Sequence, residues 1–457
     1  MVFPIDLCAA RAATVHRTLT NSARIIATGE KGRLHGSFAF NTVSRRTTAR
    51  MARMRKCGTF ARRGQCRLEE LRSATKMSAQ MLPRVFYIPN LLKAHMTAFR
   101  LAVPLGVLFA ACSACTQLSP IPYAVDAHVP STPQTIAWGH LPAGRAPVLR
   151  VRSGQTVSMD TLSHQGVNNG MDPLKFFAAG GIAESEVLPD ALEIYHKADH
   201  PKDSGAHVLT GPVYVENAEP GDMLEVRILD LKFRVPYGVN NSGKGTGVLP
   251  DIHAGPYPKI IRFDLQRRVA LFAPGIEVPL VPFMGIMAVM PPAPLANTRP
   301  PGIYGGNMDM NRLTAGSSLY LPVHQAGALF YTGDSHAVQG DGEINGTAIE
   351  ASLTPVLQFI VHKGVGRAMK WPRAEDADNY YVMGMDKDLD LALKEAARET
   401  VAFLQKERGL SAKDAYSLAS IAVNYVVGEA VDDVLMVYGA IPKKIFTSNR
   451  AFWSRPQ

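Results

Sequence analysis

The chain has 457 residues, enough for two or three domains of ordinary size. Its 46% hydrophobic and 19% charged residues supply a large core and exclude general disorder. The formal charge of +10 would suggest a nucleic-acid partner, but residues 1–95 hold 14 Arg and 4 Lys against Asp6, Glu30, Glu69 and Glu70. The rest carries 31 basic and 35 acidic groups, so the basicity belongs to one end and the main body has no nucleic-acid role.

The cysteines repeat that division. Cys8, Cys57, Cys66, Cys112 and Cys115 all precede residue 116, which leaves the body without a disulfide, a thiolate zinc site or a cysteine nucleophile. Residues 1–95 are Arg- and Ser-rich without sustained periodicity. They read as an over-extended start outside the working protein, with a transit-like or disordered basic arm as the alternative. Met96 then opens a basic segment, the apolar stretch Leu101–Ala111 and a run of small residues, which together describe a secretory signal over 96–115. The apolar stretch is too short to span a bilayer, which needs about 20 residues. The expected product is exported or periplasmic, cleaved after Ala114 or lipid-anchored through Cys112 or Cys115.

A linker over 116–135 leads into a body at 136–446, followed by a tail at 447–457. Short runs bounded by Gly, Pro, Asn or Asp predict strands at 148–151, 156–159, 212–216, 224–231, 270–272, 318–323 and 328–331. Leu224, Val226 and Ile228 alternate with Glu225 and Arg227, as a strand with one buried face requires. Toward the end the period becomes helical, within about 386–426. Leu389, Leu393, Ala396 and Leu404 share one face, with acids at the start and Lys406, Arg408 and Gly409 at the end, predicting a helix over 387–408. Ser411 and Asp414 open a second helix over 412–426, with Ala415, Leu418, Ala422 and Tyr425 toward the core. The expected fold is mainly β, an antiparallel sandwich or barrel-like core with C-terminal helices, α+β overall.

Two polar clusters could carry chemistry. Between Gly333 and Glu343 lie Asp334, His336, Gln339, Asp341 and Glu343, with glycines that permit sharp turns. An Asp and a His two apart can share one strand face and bind a cation, while a nearby free carboxylate accepts a proton. A solvated polar hairpin is the plain alternative. The second cluster, Gly305-Gly306-Asn307-Met308-Asp309, allows backbone amides to face a ligand or, more simply, forms a turn. His164, His200 and His207 are isolated and read singly as structural histidines.

Several stretches resemble the acetamidase/formamidase amide hydrolases. They are Thr210–Val226, Val281–Gly285, Pro300–Asp309, Leu321–Val323, Gly327–Leu329, Gly333–Glu343 and Gly346–Glu350, with Gly384–Asp390 and Gly409–Tyr416 in the tail. The resemblance covers about 138–446. It implies hydrolysis of a short linear amide to a carboxylate and ammonia, in a β-rich fold with a divalent cation and as a homo-oligomer. Asn307, Asp309, Asp334, His336, Asp341 and Glu343 match the family's polar core. Two positions depart from the pattern: Val208 follows His207 where Pro is usual, and Asn424 replaces an acid expected in the final helix.

Amide hydrolysis needs a strong nucleophile, donors for the oxyanion and an acid for the departing amine. With no cysteine in the body, and Gly316-Ser317-Ser318 leading straight into an apolar strand, water activated by a divalent cation is the route left. Asp334 and His336 are the first expected ligands, with His207 and Asp160 as third and fourth. Zinc suits nitrogen and oxygen donors, and calcium an all-oxygen set. Glu343 is the expected general base and later acid, Asn307 with the backbone at Gly306 the oxyanion donors, and Asp309 the group orienting the substrate NH₂. The alternative function is an exported small-ligand binding protein that keeps the fold without the activity.

Overall fold

A computed structural model describes residues 123–448, except 244, 253 and 254. The basic extension, the signal and the lipidation cysteines expected before residue 116 lie outside the described residues, as does most of the expected tail. Among the described residues, no helix is long and apolar enough to cross a membrane.

Two sheets dominate. One has nine strands, with Leu353–His362, Met223–Phe233 and Ser318–Pro322 as consecutive neighbours near its middle. The other has eleven, and its strand Phe330–Val338 is flanked by Val208–Val215, Phe283–Ala288 and Ile349–Glu350. Pairing is antiparallel except where Ala127–Val129 meets Thr156–Met159 and where Leu149–Val151 meets Val208–Val215. Each run expected to be extended overlaps a strand, although Ala328 and Leu329 (φ 57° and 54°) lie just before Phe330–Val338, and the mainly β, α+β expectation holds.

The alternation in Met223–Phe233 explains the layering. Leu224, Val226 and Ile228 are fully buried in the main core, together with Met284, Ile286 and Ala288 from the eleven-stranded sheet. The opposite face is also covered, because Met223, Tyr320 and Val382 pack with Phe403, Leu404 and Ala415 of the C-terminal helices. Glu225 is therefore buried too, and its carboxylate is held by Arg227, Ser318 and His362.

Four α-helices complete the described part. α1 (Pro173–Ala178) and α2 (Pro189–Lys197) were not expected from the sequence. Both begin with Pro, whose missing N–H costs nothing in a first turn. α3 (Leu389–Arg408) begins where the Asp388 side chain accepts from the Leu391 N–H, and ends at Gly409 with φ 68°. α4 (Ala412–Ala422) is capped by Ser411, which accepts from the Asp414 N–H.

Two helical expectations need correction. The buried stripe of α3 is Ala392, Ala396, Thr400, Phe403 and Leu404, while Leu389 and Leu393 stay largely exposed. Gly384 brings its strand so close that a Cβ there would lie 2.1 Å from the Ala396 nitrogen, so the small residues set the contact face. The second helix stops at Ala422, because Asn424–Glu429 pairs with Leu435–Pro442 as a strand. Tyr425, Val426 and Val427 suit that extended ladder. Asn424, expected in the final helix, opens this strand instead and is exposed.

Candidate active site

The strand Phe330–Val338 runs further than the apolar run 328–331 predicted, so Asp334 and His336 sit within the sheet rather than beyond it. His336 lies opposite Phe283 on one neighbouring strand and Glu350 on the other. Glu350 directs its Oε2 to 3.2 Å from His336 Nε2, and Asp334 Oδ2 lies 3.4 Å from the same nitrogen. His164 Nδ1 reaches Asp334 Oδ1 at 3.1 Å, and His207 Nε2 is 3.9 Å from Asp334 Oδ2. Asp309 Oδ1 stands 3.9 Å from His336 Nδ1, and the ligand atoms of Asp309, His336 and Glu343 all lie within 4.8 Å of one another. Three imidazoles and four carboxylates thus converge from five separate stretches of chain.

Strain and close approach accompany this convergence. Asp309, Asp334 and Glu343 have φ of 45°, 50° and 46°. Side-chain-bearing residues rarely adopt this left-handed region, at a cost of roughly 1–3 kcal/mol each, and such strain clusters at functional sites. Gly285 leaves the room the carboxylates need, since a Cβ there would stand 2.4 Å from Asp309 Oδ1 and 2.7 Å from the Asp334 carbonyl oxygen.

Burial sets the electrostatics. It pushes the Asp309 carboxyl well above the usual carboxylate range, with Glu343 and Asp334 adding to the rise. Glu343 is also raised well above its ordinary value, chiefly by burial, with Glu350 adding. Burial works the same way on Asp334, but the charges of His207 and His336 and the His164 hydrogen bond outweigh it and hold Asp334 well below. His207 is lowered to about 4 by burial, so it carries its charge only in the acid range where Asp334 itself titrates and is neutral at pH 7. Its Nδ1 bonds Thr298 Oγ1 at 2.9 Å, leaving Nε2 facing Asp334.

Several buried atoms at this site make no hydrogen bond: both ring nitrogens of His336, Asp309 Oδ1, Glu350 Oε2 and Asn307 Oδ1. Buried polar atoms in folded proteins almost always have partners. A cluster of imidazole nitrogens and carboxylate oxygens left open at one point fits a divalent cation. His164, His207 and Asp334 form one such group, and Asp334, His336 and Glu350 another.

Of the residues expected from sequence, Asp334, His336, His207, Glu343, Asn307 and Asp309 come together, and two do not. Asp160 accepts from Thr354 Oγ1 at 2.6 Å and lies near Arg234 and His128, so its carboxylate is already engaged outside the cluster. Asp341 is exposed at the far side of its turn, where it meets Arg312 and the Tyr438 hydroxyl at 3.1 Å. Its neighbour Glu343 is buried, because Gly342 (φ 92°) reverses the chain between them.

The sequence reading missed His164, Glu350 and the pair Glu429 and Asp432. Asn307 Nδ2 donates to Asp432, and Glu429 accepts from the backbone N–H of Val431 and Asp432. The Glu429 loop also bonds Gly342 through backbone contacts, tying the end of the chain to the turn that bears Glu343. Burial raises the Glu429 carboxyl to about 7. His164 offered no spacing signal, whereas Glu350 ended a stretch that resembles the family without standing out as a ligand.

Above the cluster opens a cavity of about 840 Å³, lined by His164, His207, Asp309, Asp334, Glu343 and Glu350 at its floor. Comparisons with known proteins agree with this architecture. The acetamidase of Bacillus halodurans is 26% identical, with a TM-score of 0.59 over 70% of this chain and 98% of that one. A predicted acetamidase/formamidase of Thermoanaerobacter tengcongensis is likewise 26% identical, with a TM-score of 0.58 over 70% and 97%. Among curated relatives, the acetamidase of Mycolicibacterium smegmatis is 28% identical over 30% of this chain and 49% of its own length. The formamidase of Methylophilus methylotrophus is 28% identical over 30% and 47%. The chain thus spans about half the length of the curated relatives it matches. The profile of the Acetamidase/Formamidase family matches residues 197–299 and 294–448, and the chain belongs to that family.

Proposed function

We propose that this protein hydrolyses a small linear amide to a carboxylate and ammonia, with a divalent cation held among Asp334, His336, His164, His207 and Glu350. The observation that carries this reading is the set of buried nitrogen and oxygen atoms that make no hydrogen bond where His336, Asp309 and Glu350 meet, within a family whose relatives are named acetamidase and formamidase. A bound divalent cation would supply Lewis acidity and lower the pKa of water from 15.7 toward about 7. Zinc suits the mixed nitrogen and oxygen set better than calcium, which prefers oxygen alone.

The remaining steps belong to side chains. Glu343, raised by burial, is suited to take a proton from the attacking water and return it to the departing nitrogen. One N–H of the Asn307 amide is taken by Asp432, leaving the second for the substrate oxygen as negative charge develops there, whereas Gly306, paired with Met287 in the sheet, does not line the cavity. Asp309 Oδ1 has no partner and can accept from the substrate NH₂. The overall balance is one amide and one water to one carboxylate and one ammonium. Purified protein should release ammonia from formamide or acetamide, and Glu343→Gln should lower kcat by roughly 10²–10⁴-fold while the fold is kept. Near-full turnover by that variant would remove Glu343 from the role.

The signal-like segment after Met96 and the cysteine-free body support an exported protein whose mature start lies between Cys112 and Thr116. N-terminal sequencing of natively expressed protein should find that start. A stable cytoplasmic product beginning before Met96 would contradict it.

A further inference from the structure

We infer that the cavity takes an amide whose acyl chain ends in a carboxylate, and that Arg299 receives that carboxylate. The inference rests on the amidase reading and narrows its substrate. Formamide and acetamide have three and four heavy atoms, far too few to fill a cavity of about 840 Å³. Ligand pockets are ordinarily lined by apolar side chains that reward an alkyl group. The walls here are built differently. Gln165 accepts from Asn169 at 3.0 Å and from Asn241 at 3.1 Å, and all three line the cavity with Asn168 and Thr347. An alkyl chain against these amides would gain little from burial and would strip water from polar groups without replacing its hydrogen bonds.

Arg299 supplies the charge. Among the described residues it is the one lysine or arginine lining the cavity. Its backbone N–H donates to Asn297 Oδ1 at 2.9 Å, which fixes the wall, while its side chain is 57% exposed. Its Nε forms an ion pair with Asp432 Oδ1 at 3.8 Å without a hydrogen bond, and the other oxygen of Asp432 is taken by Asn307. The guanidinium is therefore one side chain removed from the reacting centre, with its planar fork available. Guanidinium matches a carboxylate through two parallel N–H bonds. A substrate with its carboxamide over the floor and a carboxylate at Arg299 has a short spacer between, which describes the monoamide of a small dicarboxylic acid. Hydrolysis adds water across the C–N bond and releases a dicarboxylate and ammonium.

The test compares succinamate with 4-methylpentanamide, which has the same shape with an isopropyl group in place of the carboxylate. The full chain should favour succinamate by about 10²-fold in kcat/KM. Arg299→Gln should collapse that ratio to within about threefold, chiefly through KM, and Arg299→Lys should restore part of it. Calorimetric binding of succinamate to both proteins supplies a readout independent of turnover. Ammonia from acetamide without preference for succinamate would overturn the carboxylate subsite and leave the amidase reading standing. Arg299-dependent succinamate binding with no ammonia from any amide would overturn the amidase reading and leave the subsite standing. A preference for succinamate that survives Arg299→Gln unchanged would overturn the role of Arg299.

Discussion

Asp309, Asp334 and Glu343 share an uncommon feature, a left-handed backbone at a residue with a charged side chain. No periodicity in a sequence reports such a conformation, because it is fixed by the chain that surrounds it. What the sequence did show was residue type at close spacing: Asp334 and His336 two apart on a strand, and Glu343 beyond a glycine turn. His164 and Glu350 were beyond its reach, since their meeting with His336 depends on strand pairing across long separations. Glu429 allows a test at this scale. Its carboxyl is raised to about 7 by burial, so between about 4.5 and 7 the folded state binds more protons than the unfolded chain. Stability therefore falls as pH rises through that window, and the penalty is complete above about 7. Glu429→Gln keeps an oxygen for the Val431 and Asp432 N–H groups and removes the charge. Its stability relative to wild type should rise between pH 4.5 and 7 by roughly 2–3 kcal/mol, read from denaturant midpoints at each pH. A difference independent of pH would show that Glu429 titrates normally.

Among elements, the strands were more legible than the helices. The alternation of Leu224, Val226 and Ile228 fixed which face of Met223–Phe233 enters the core, and Asp388, Gly409 and Ser411 marked helix ends correctly. The buried face of α3 departs from the leucine stripe because close packing on Gly384 selects Ala392 and Ala396. The end of α4 is not legible in the sequence because Tyr425 fits a helical stripe and a strand equally well. The strand Phe283–Ala288 carries the sharper consequence. Gly285 lies where a methyl group would collide with both Asp309 and the backbone of Asp334. Gly285→Ala should lower kcat/KM by about 10²-fold, as displacement of reacting groups by about 1 Å does, while the strand pairing persists. Unchanged kinetics in a folded Gly285→Ala protein would mean that neither carboxylate position matters.

At the scale of the whole molecule, two sheets and the C-terminal segment meet at one point. Asp334 and His336 come from the eleven-stranded sheet, His164 from the connection before α1, and Asp432 from the hairpin that follows α4. The division of charge and cysteine between residues 1–95 and the body was readable from composition alone, as was the mainly β class. The convergence of imidazoles and carboxylates was not, because it exists only after the chain is folded. The central claim is that this set holds a divalent cation needed for amide hydrolysis. The most direct measurement follows metal content and ammonia release together, in wild-type and His336→Ala protein, before and after dialysis against a chelator and after metal is restored. About one divalent ion per chain is expected in the wild type, with loss of turnover on removal and recovery on restoration, and reduced metal content in His336→Ala. Metal-free protein as active as the metal-loaded protein would contradict it.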